Sequence, residues 1–330
     1  MKWWRKLLFS LAITPLIYLL IALTLTLLPV QRQVFSENLD FSVLPSRDSQ
    51  NNTASEQHYK AKDGAQLFYR QIIGNQAQVV ILIHGSGSEG RYLLGLANTL
   101  NADTGTTVIV PDLRGHGRSM NSHPGDVSYL GQYLDDLSDL HHHLRAQFPQ
   151  ALIILGGHSS GGGLAVKTGG SPDASFDAYL LLAPYLGYQS PTVRPDSGGW
   201  VQVSTRRYAG LSMLNQLGIR RFNDRSVLFF NRPVNRQDEL QLQSYSYRLN
   251  ESFGPQDFKQ DLGNNAMPIL ALVGEDDEAF YADQFPPLFQ QYAPGAQLHV
   301  LAGVKHLDLP DSSNAADKIV DWLLTLKKKP

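Results

Sequence analysis

Ala151-Leu152-Ile153-Ile154-Leu155-Gly156-Gly157-His158-Ser159-Ser160-Gly161 is the stretch that decides how this chain folds. An apolar run reads as a buried strand. It breaks directly into a serine with glycine two places before it and two places after. That spacing predicts a strand–turn–helix elbow so tight that both flanking positions must be bare or tiny. The serine is forced into strained backbone with its hydroxyl standing out of the sheet. A helix beginning behind it aims unpaired N–H groups at an oxyanion forming there. A glycine-rich loop that merely feeds a helix is the competing reading of the same string. The strand before and the helix after favour a nucleophile.

A serine hydroxyl needs a base, and the base needs an orienting acid. Pro268-Ile269-Leu270-Ala271-Leu272-Val273 reads as a second buried strand, followed by Gly274-Glu275-Asp276-Asp277. Asp277 is the expected acid, since the third position past the glycine lets the chain turn first; Asp276 competes with it. Glu275 and Glu278 read as solvated. Gln297-Leu298-His299-Val300-Leu301 is a short alternating strand that leads out to His306. Only His299 and His306 follow the acid, as the order Ser…Asp…His requires. His299 is fixed inside the strand, so His306 is the base. His141, His142 and His143 are consecutive, fan around a helix and read as a solvated face rather than a metal site.

Two backbone N–H donors should face the serine. One is expected from Ser160. The other comes from the loop after Val79-Val80-Ile81-Leu82-Ile83, where His84-Gly85-Ser86-Gly87-Ser88 is small enough for close approach, and Ser86 is the expected donor. His84 reads as a turn-packing residue.

Together, His84-Gly85-Ser86-Gly87, the turn from Pro111-Asp112-Leu113-Arg114-Gly115-His116-Gly117 to Arg118-Ser119, the elbow, Gly274-Glu275-Asp276-Asp277 and the late His306 resemble the α/β-hydrolase superfamily. The resemblance spans roughly residues 58–328. It is nearest to the bacterial lysophospholipase, monoacylglycerol lipase and serine-aminopeptidase-like branch. It implies that the Asp112–Ser119 turn packs beneath the site, so Arg114 and His116 are not carried over as catalytic. Serine at the elbow separates the chain from haloalkane dehalogenases and epoxide hydrolases. Ser160 stands where proline iminopeptidases usually have Trp. The absence of cysteine separates it from dienelactone hydrolases.

Apolar runs near 79–83, 106–110, 151–155, 178–182, 268–273 and 297–301 have the look of strands buried on both faces. Helical stripes lie between several of them. Leu130, Tyr133, Leu137, Leu140, Leu144 and Phe148 form one, and 315–328 another, with Ser312 or Ser313 as its cap. The expected fold is a doubly wound, mostly parallel α/β sheet with its site at the carboxyl ends of the strands. Residues 185–266 break the rhythm and predict a helical cap insertion over the site. Its aromatics serve mainly as the cap's own core and partly as an acyl pocket. Arg206, Arg207, Arg220, Arg221 and Arg225 read as solvated.

Residues 7–28 carry no charge and would make about 33 Å of helix, enough for a ~30 Å hydrocarbon core. Lys2, Trp3, Trp4, Arg5 and Lys6 precede them and suit a cytoplasmic interface. The expectation is a retained signal-anchor at 7–28 behind a cytoplasmic stretch at 1–6. A polar linker at 29–57 and a catalytic domain at 58–330 follow, the latter on the extracytoplasmic, periplasmic side of a bacterial inner membrane. A net charge of −2 and the lack of a basic stripe argue against nucleic acid. No metal spacing, nucleotide loop or dinucleotide fingerprint is present, so neither a metal nor a cofactor is expected. The sequence therefore predicts a membrane-anchored serine hydrolase cleaving lipid-like carboxylic esters through an acyl-enzyme. Acyl transfer or aminopeptidase chemistry on the same triad, and a non-catalytic binding module, are its rivals.

Overall fold

A computed structural model describes residues 2–31, 54–120, 123–231 and 240–326, with side chains of the first helix from residue 13 onward. The main sheet has eight strands in the order β1-β2-β4-β3-β5-β6-β10-β11. β1 (Ser55–Lys60), β2 (Gln66–Ile72) and β4 (Thr106–Pro111) pair antiparallel. From β4 onward, β3 (Asn75–Ile83), β5 (Leu152–His158), β6 (Ala178–Leu182), β10 (Ile269–Gly274) and β11 (Gln297–Leu301) run parallel. All residues of β4, β5, β6 and β10 are buried, as strands covered on both faces require. β1 and β2 lack long apolar runs, and β1 starts inside the stretch expected to be linker. The rest of that linker, 32–53, and the lysine tail at 327–330 lie outside the described residues.

Helices α2 (Leu94–Thr104), α3 (Gln132–Gln147), α4 (Ser160–Gly169) and α8 (Phe285–Tyr292) fill the crossovers, and α9 (Ser313–Thr325) follows the last strand. Ser312 caps α9 by accepting from the Ala315 amide. The histidine run on α3 does not form one solvated face. His141 is buried against Phe176, with ring centroids 5.1 Å apart, because α3 turns it toward the sheet.

Chain order changes direction around β3, whose neighbours are β4 on one side and β5 on the other. Ligands in such sheets bind at the carboxyl ends beside this switch point.

Between β6 and β10 lies the insertion, and it is not purely helical. α5 (Thr205–Gln216), α6 (Tyr247–Phe253) and α7 (Phe258–Asn264) accompany a three-stranded antiparallel sheet of β7 (Val201–Val203), β8 (Ser226–Phe230) and β9 (Ser244–Ser246). Strands of three to five residues carry too little alternation to stand out in the sequence.

The N-terminal segment is a helix, α1 (Lys2–Leu27). The membrane span expected over 7–28 is not supported: among the described residues no helix is long and apolar enough to cross a membrane. One face of α1 is occupied by the insertion instead. Ala22 and Thr26 are buried, and a Cβ on Gly210 of α5 would lie 2.6 Å from Thr26 Oγ1 and 2.7 Å from the Ala22 carbonyl. Arg207, expected to be solvated, donates to the carbonyls of Ser226, Thr26 and Leu28.

Candidate active site

Ser159 follows β5 and caps α4 with φ 56° and ψ −119°, a conformation costing on the order of 1–3 kcal/mol for a residue with a side chain. Three backbone hydrogen bonds hold it there. Its N–H donates to the Leu182 carbonyl (2.8 Å), and its carbonyl accepts from Gly163 (3.0 Å) and Tyr185 (2.9 Å). The elbow glycines are needed for close approach. A Cβ on Gly157 would sit 2.4 Å from the Gly161 carbonyl carbon, and one on Gly161 would sit 2.4 Å from the Ile83 oxygen.

His306 lies on the loop after β11, and its Nε2 is 3.1 Å from Ser159 Oγ. Its Nδ1 is 2.7 Å from Asp277 Oδ2. Asp277 is the carboxylate brought to His306, whereas Asp276 is exposed. The other oxygen of Asp277 accepts from the amides of Ala279 and Phe280, both at 2.8 Å. These bonds satisfy a carboxylate that is only 1% exposed. Glu278, expected to be solvated, instead accepts from the His306 backbone N–H at 2.9 Å. Only the return of the loop after β11 creates this contact, so nothing local in the sequence announces it.

Ser86 lies between two anchored amides. Gly85 N–H donates to Tyr92 Oη (2.7 Å) and Gly87 N–H to Tyr245 Oη (2.6 Å). The Ser86 and Ser160 amides have no acceptor among the described residues. Their side chains are hydrogen-bonded to each other.

Three buried histidines pack around this floor, and burial lowers the pKa of each. His84 accepts from the Leu113 amide (3.1 Å) and donates to the Gly85 carbonyl (2.9 Å). His116 reaches Tyr245 Oη at 2.6 Å. His158 joins two parts of the site. The His306 carbonyl can only accept, so His158 Nε2 donates to it (3.1 Å) and Nδ1 accepts from Tyr92 O–H (3.0 Å). Burial and then the neighbouring His306 charge hold His158 well below the usual imidazole range, which matches a neutral ring. The chain Gly85–Tyr92–His158–His306 thus ties the loop after β3 to the loop after β11. Neither Tyr92 nor the role of His158 was legible in the sequence. Arg114 faces away from Ser159, pairing with Asp136 (2.6 Å) and Asp63 (3.0 Å).

A mainly apolar cavity of about 520 Å³ opens over Ser159, Ser160, Ser86 and His306. The insertion supplies its roof through Trp200, Val201, Tyr208 and Leu228, among others. Arg194 also lines it, with Nε donating to the Phe280 carbonyl (3.0 Å) and the guanidinium 4.3 Å from the Tyr281 ring centre. Among the described residues no cluster of metal-ligating side chains is present.

A family model described as Serine aminopeptidase, S33, matches residues 74–312, more than half of the chain. The chain belongs to this family. It is a serine hydrolase with the α/β-hydrolase fold. The non-heme chloroperoxidase CPO-A1 of Kitasatospora aureofaciens is 27% identical over 261 residues, covering 74% of this chain and 90% of that protein. The fold is similar to a soluble variant of monoglyceride lipase from Saccharomyces cerevisiae, solved with a substrate analog. That match has a TM-score of 0.64 and 15% identity over 84% of this chain and 96% of the other. The monoacylglycerol lipase of Paleococcus ferrophilus matches with a TM-score of 0.54 and 18% identity, over 78% and 98% of the two chains.

Proposed function

We propose that this family member cleaves carboxylic esters of lipid-like acyl groups, such as monoacylglycerols or lysophospholipids, through an acyl-enzyme on Ser159. The observation that carries the reading is the line Asp277–His306–Ser159, bonded at 2.7 and 3.1 Å, at the floor of the apolar cavity. In this reading His306 Nε2 takes the Ser159 proton as Oγ bonds to the ester carbon. The carbonyl electrons move onto oxygen, facing the Ser86 and Ser160 amides. Asp277 fixes the ring tautomer and offsets the positive charge that develops on it. The protonated His306 then donates to the leaving alcohol, and water repeats the sequence on the acyl-serine. The apolar roof suits an acyl chain, as do the lipase names among the structural neighbours.

The cavity does not favour aminopeptidase chemistry. A substrate α-ammonium calls for a carboxylate, and no carboxylate lines the cavity among the described residues, whereas the cation Arg194 does. We also propose that α1 attaches the enzyme to a membrane surface. Support comes from Leu16, Ile17, Leu20 and Ile21, each about half exposed on the helix face turned from the cap, and from the basic residues that precede 7–28.

A series of p-nitrophenyl esters of increasing chain length tests the activity. Turnover should rise from acetate toward longer acyl groups and vanish in Ser159→Ala. Equal turnover by the variant would remove the proposal. An aminoacyl p-nitroanilide cleaved faster than any ester would establish the peptidase reading instead.

A further inference from the structure

The bond between the Ser86 and Ser160 hydroxyls has a chemical consequence. Each hydroxyl has one proton and two lone pairs. Pairing two hydroxyls uses one proton, and the accepting oxygen keeps its own. No other hydrogen bond engages either hydroxyl among the described residues. Both side chains line the cavity, and they belong to the two residues whose amides lack an acceptor. The uncommitted proton therefore belongs to a side chain that lines the same cavity as the two amides.

We propose that the Ser86–Ser160 hydroxyl pair is a third donor to the oxyanion and so a catalytic element of this enzyme. The inference rests on reading Ser159 as the nucleophile. When Ser159 Oγ bonds to the carbonyl carbon, the C=O π pair moves onto oxygen and the Oγ proton passes to His306. The new anion is a stronger acceptor than the ester carbonyl it replaces, so a donor fixed beside it lowers the barrier more than it strengthens binding. The hydroxyl that donates within the pair polarises its partner, which makes the partner's remaining proton a better donor. Whichever serine accepts, the pair delivers one proton to the cavity. The backbone amides at these positions are available from any residue type except proline. The hydroxyls depend on serine at both.

The test uses the full chain carrying Ser86→Ala, Ser160→Ala, both changes together, and Ser86→Thr. Each variant is measured for hydrolysis of a p-nitrophenyl ester and for inhibition by an alkyl trifluoromethyl ketone, which forms a hemiketal oxyanion on a reactive serine. The double variant, which leaves no hydroxyl proton from the pair, should lose roughly ten- to a hundredfold in kcat with KM changed less than about twofold. Its inhibition constant for the ketone should rise by about the same factor. Each single alanine variant keeps one hydroxyl but loses the partner that orients and polarises it, and should fall between wild type and the double variant. Ser86→Thr keeps a hydroxyl and should recover most of the loss. Unchanged kcat in the double variant, or reduced kcat with ketone affinity intact, would overturn the proposal. Stoichiometric labelling by a fluorophosphonate shows that each variant is folded with a competent nucleophile. If wild type is not labelled at Ser159, the nucleophile reading itself fails, a result distinct from failure of the hydroxyl pair.

Discussion

His158 is the residue whose role is least visible in the string Gly-His-Ser-Ser-Gly, yet its ring spans the space between two loops of the site. It donates to the His306 carbonyl and accepts from Tyr92, which in turn accepts from the Gly85 amide beside Ser86. Tyr92→Phe removes one donor and leaves the Gly85 N–H without its partner, so both loops lose a constraint. The expected result is a fall in kcat of about tenfold with little change in KM, measured by steady-state ester hydrolysis. His158 is neutral in the fold because burial opposes its charged form. His158→Gln should therefore lower kcat while leaving the shape of the pH–activity profile from about pH 5 to about pH 9 unchanged. Loss of an ionisation in that range would show that His158 titrates during turnover. Ser159, Asp277 and His306 could be singled out because spacing and chain order constrain them. Glu278 and Tyr92 could not, since their partners are supplied by loops distant in sequence.

Among the elements, the buried parallel strands were legible because unbroken Val, Ile and Leu runs have few other uses. The three strands of the insertion were not, since β7 and β9 are three residues each and leave no measurable alternation. The histidines of α3 were misread because a consecutive run cannot all point one way. His141 is buried with neither ring nitrogen hydrogen-bonded among the described residues, and burial, with Arg145 nearby, lowers its pKa to about 4. In the unfolded chain the same group takes a proton near pH 6.5. Between those values the unfolded state binds more protons, so the imidazole costs stability as pH falls through the window. His141→Leu removes both this linkage and the unmet hydrogen bonds. It should stabilise the protein by about 1 kcal/mol near pH 8 and by more near pH 5, measured by urea unfolding at both. A gain that shrinks toward pH 5 would contradict the assignment.

At the scale of the whole molecule, α1, the insertion and the cavity form a stack. α1 rests on α5 through the close approach at Gly210, and Tyr208 and Ala209 of the same helix line the cavity. Gly210→Leu should push α1 from the cap and raise KM for long-chain esters several-fold while sparing short ones, read from a chain-length series. Unchanged chain-length preference would mean that the cap holds its shape without α1. A charge-free N-terminal run was plain in the sequence, but its packing against the insertion was not, because that contact joins segments nearly two hundred residues apart. All of this depends on a covalent step at one hydroxyl. Acid-quenching during ester turnover, followed by peptide mass spectrometry, tests it most directly. The acyl mass should appear on Ser159 in the wild-type enzyme and be absent from His306→Gln at the same time point. An acyl group on any other residue, or rapid turnover in Ser159→Ala, would contradict the account.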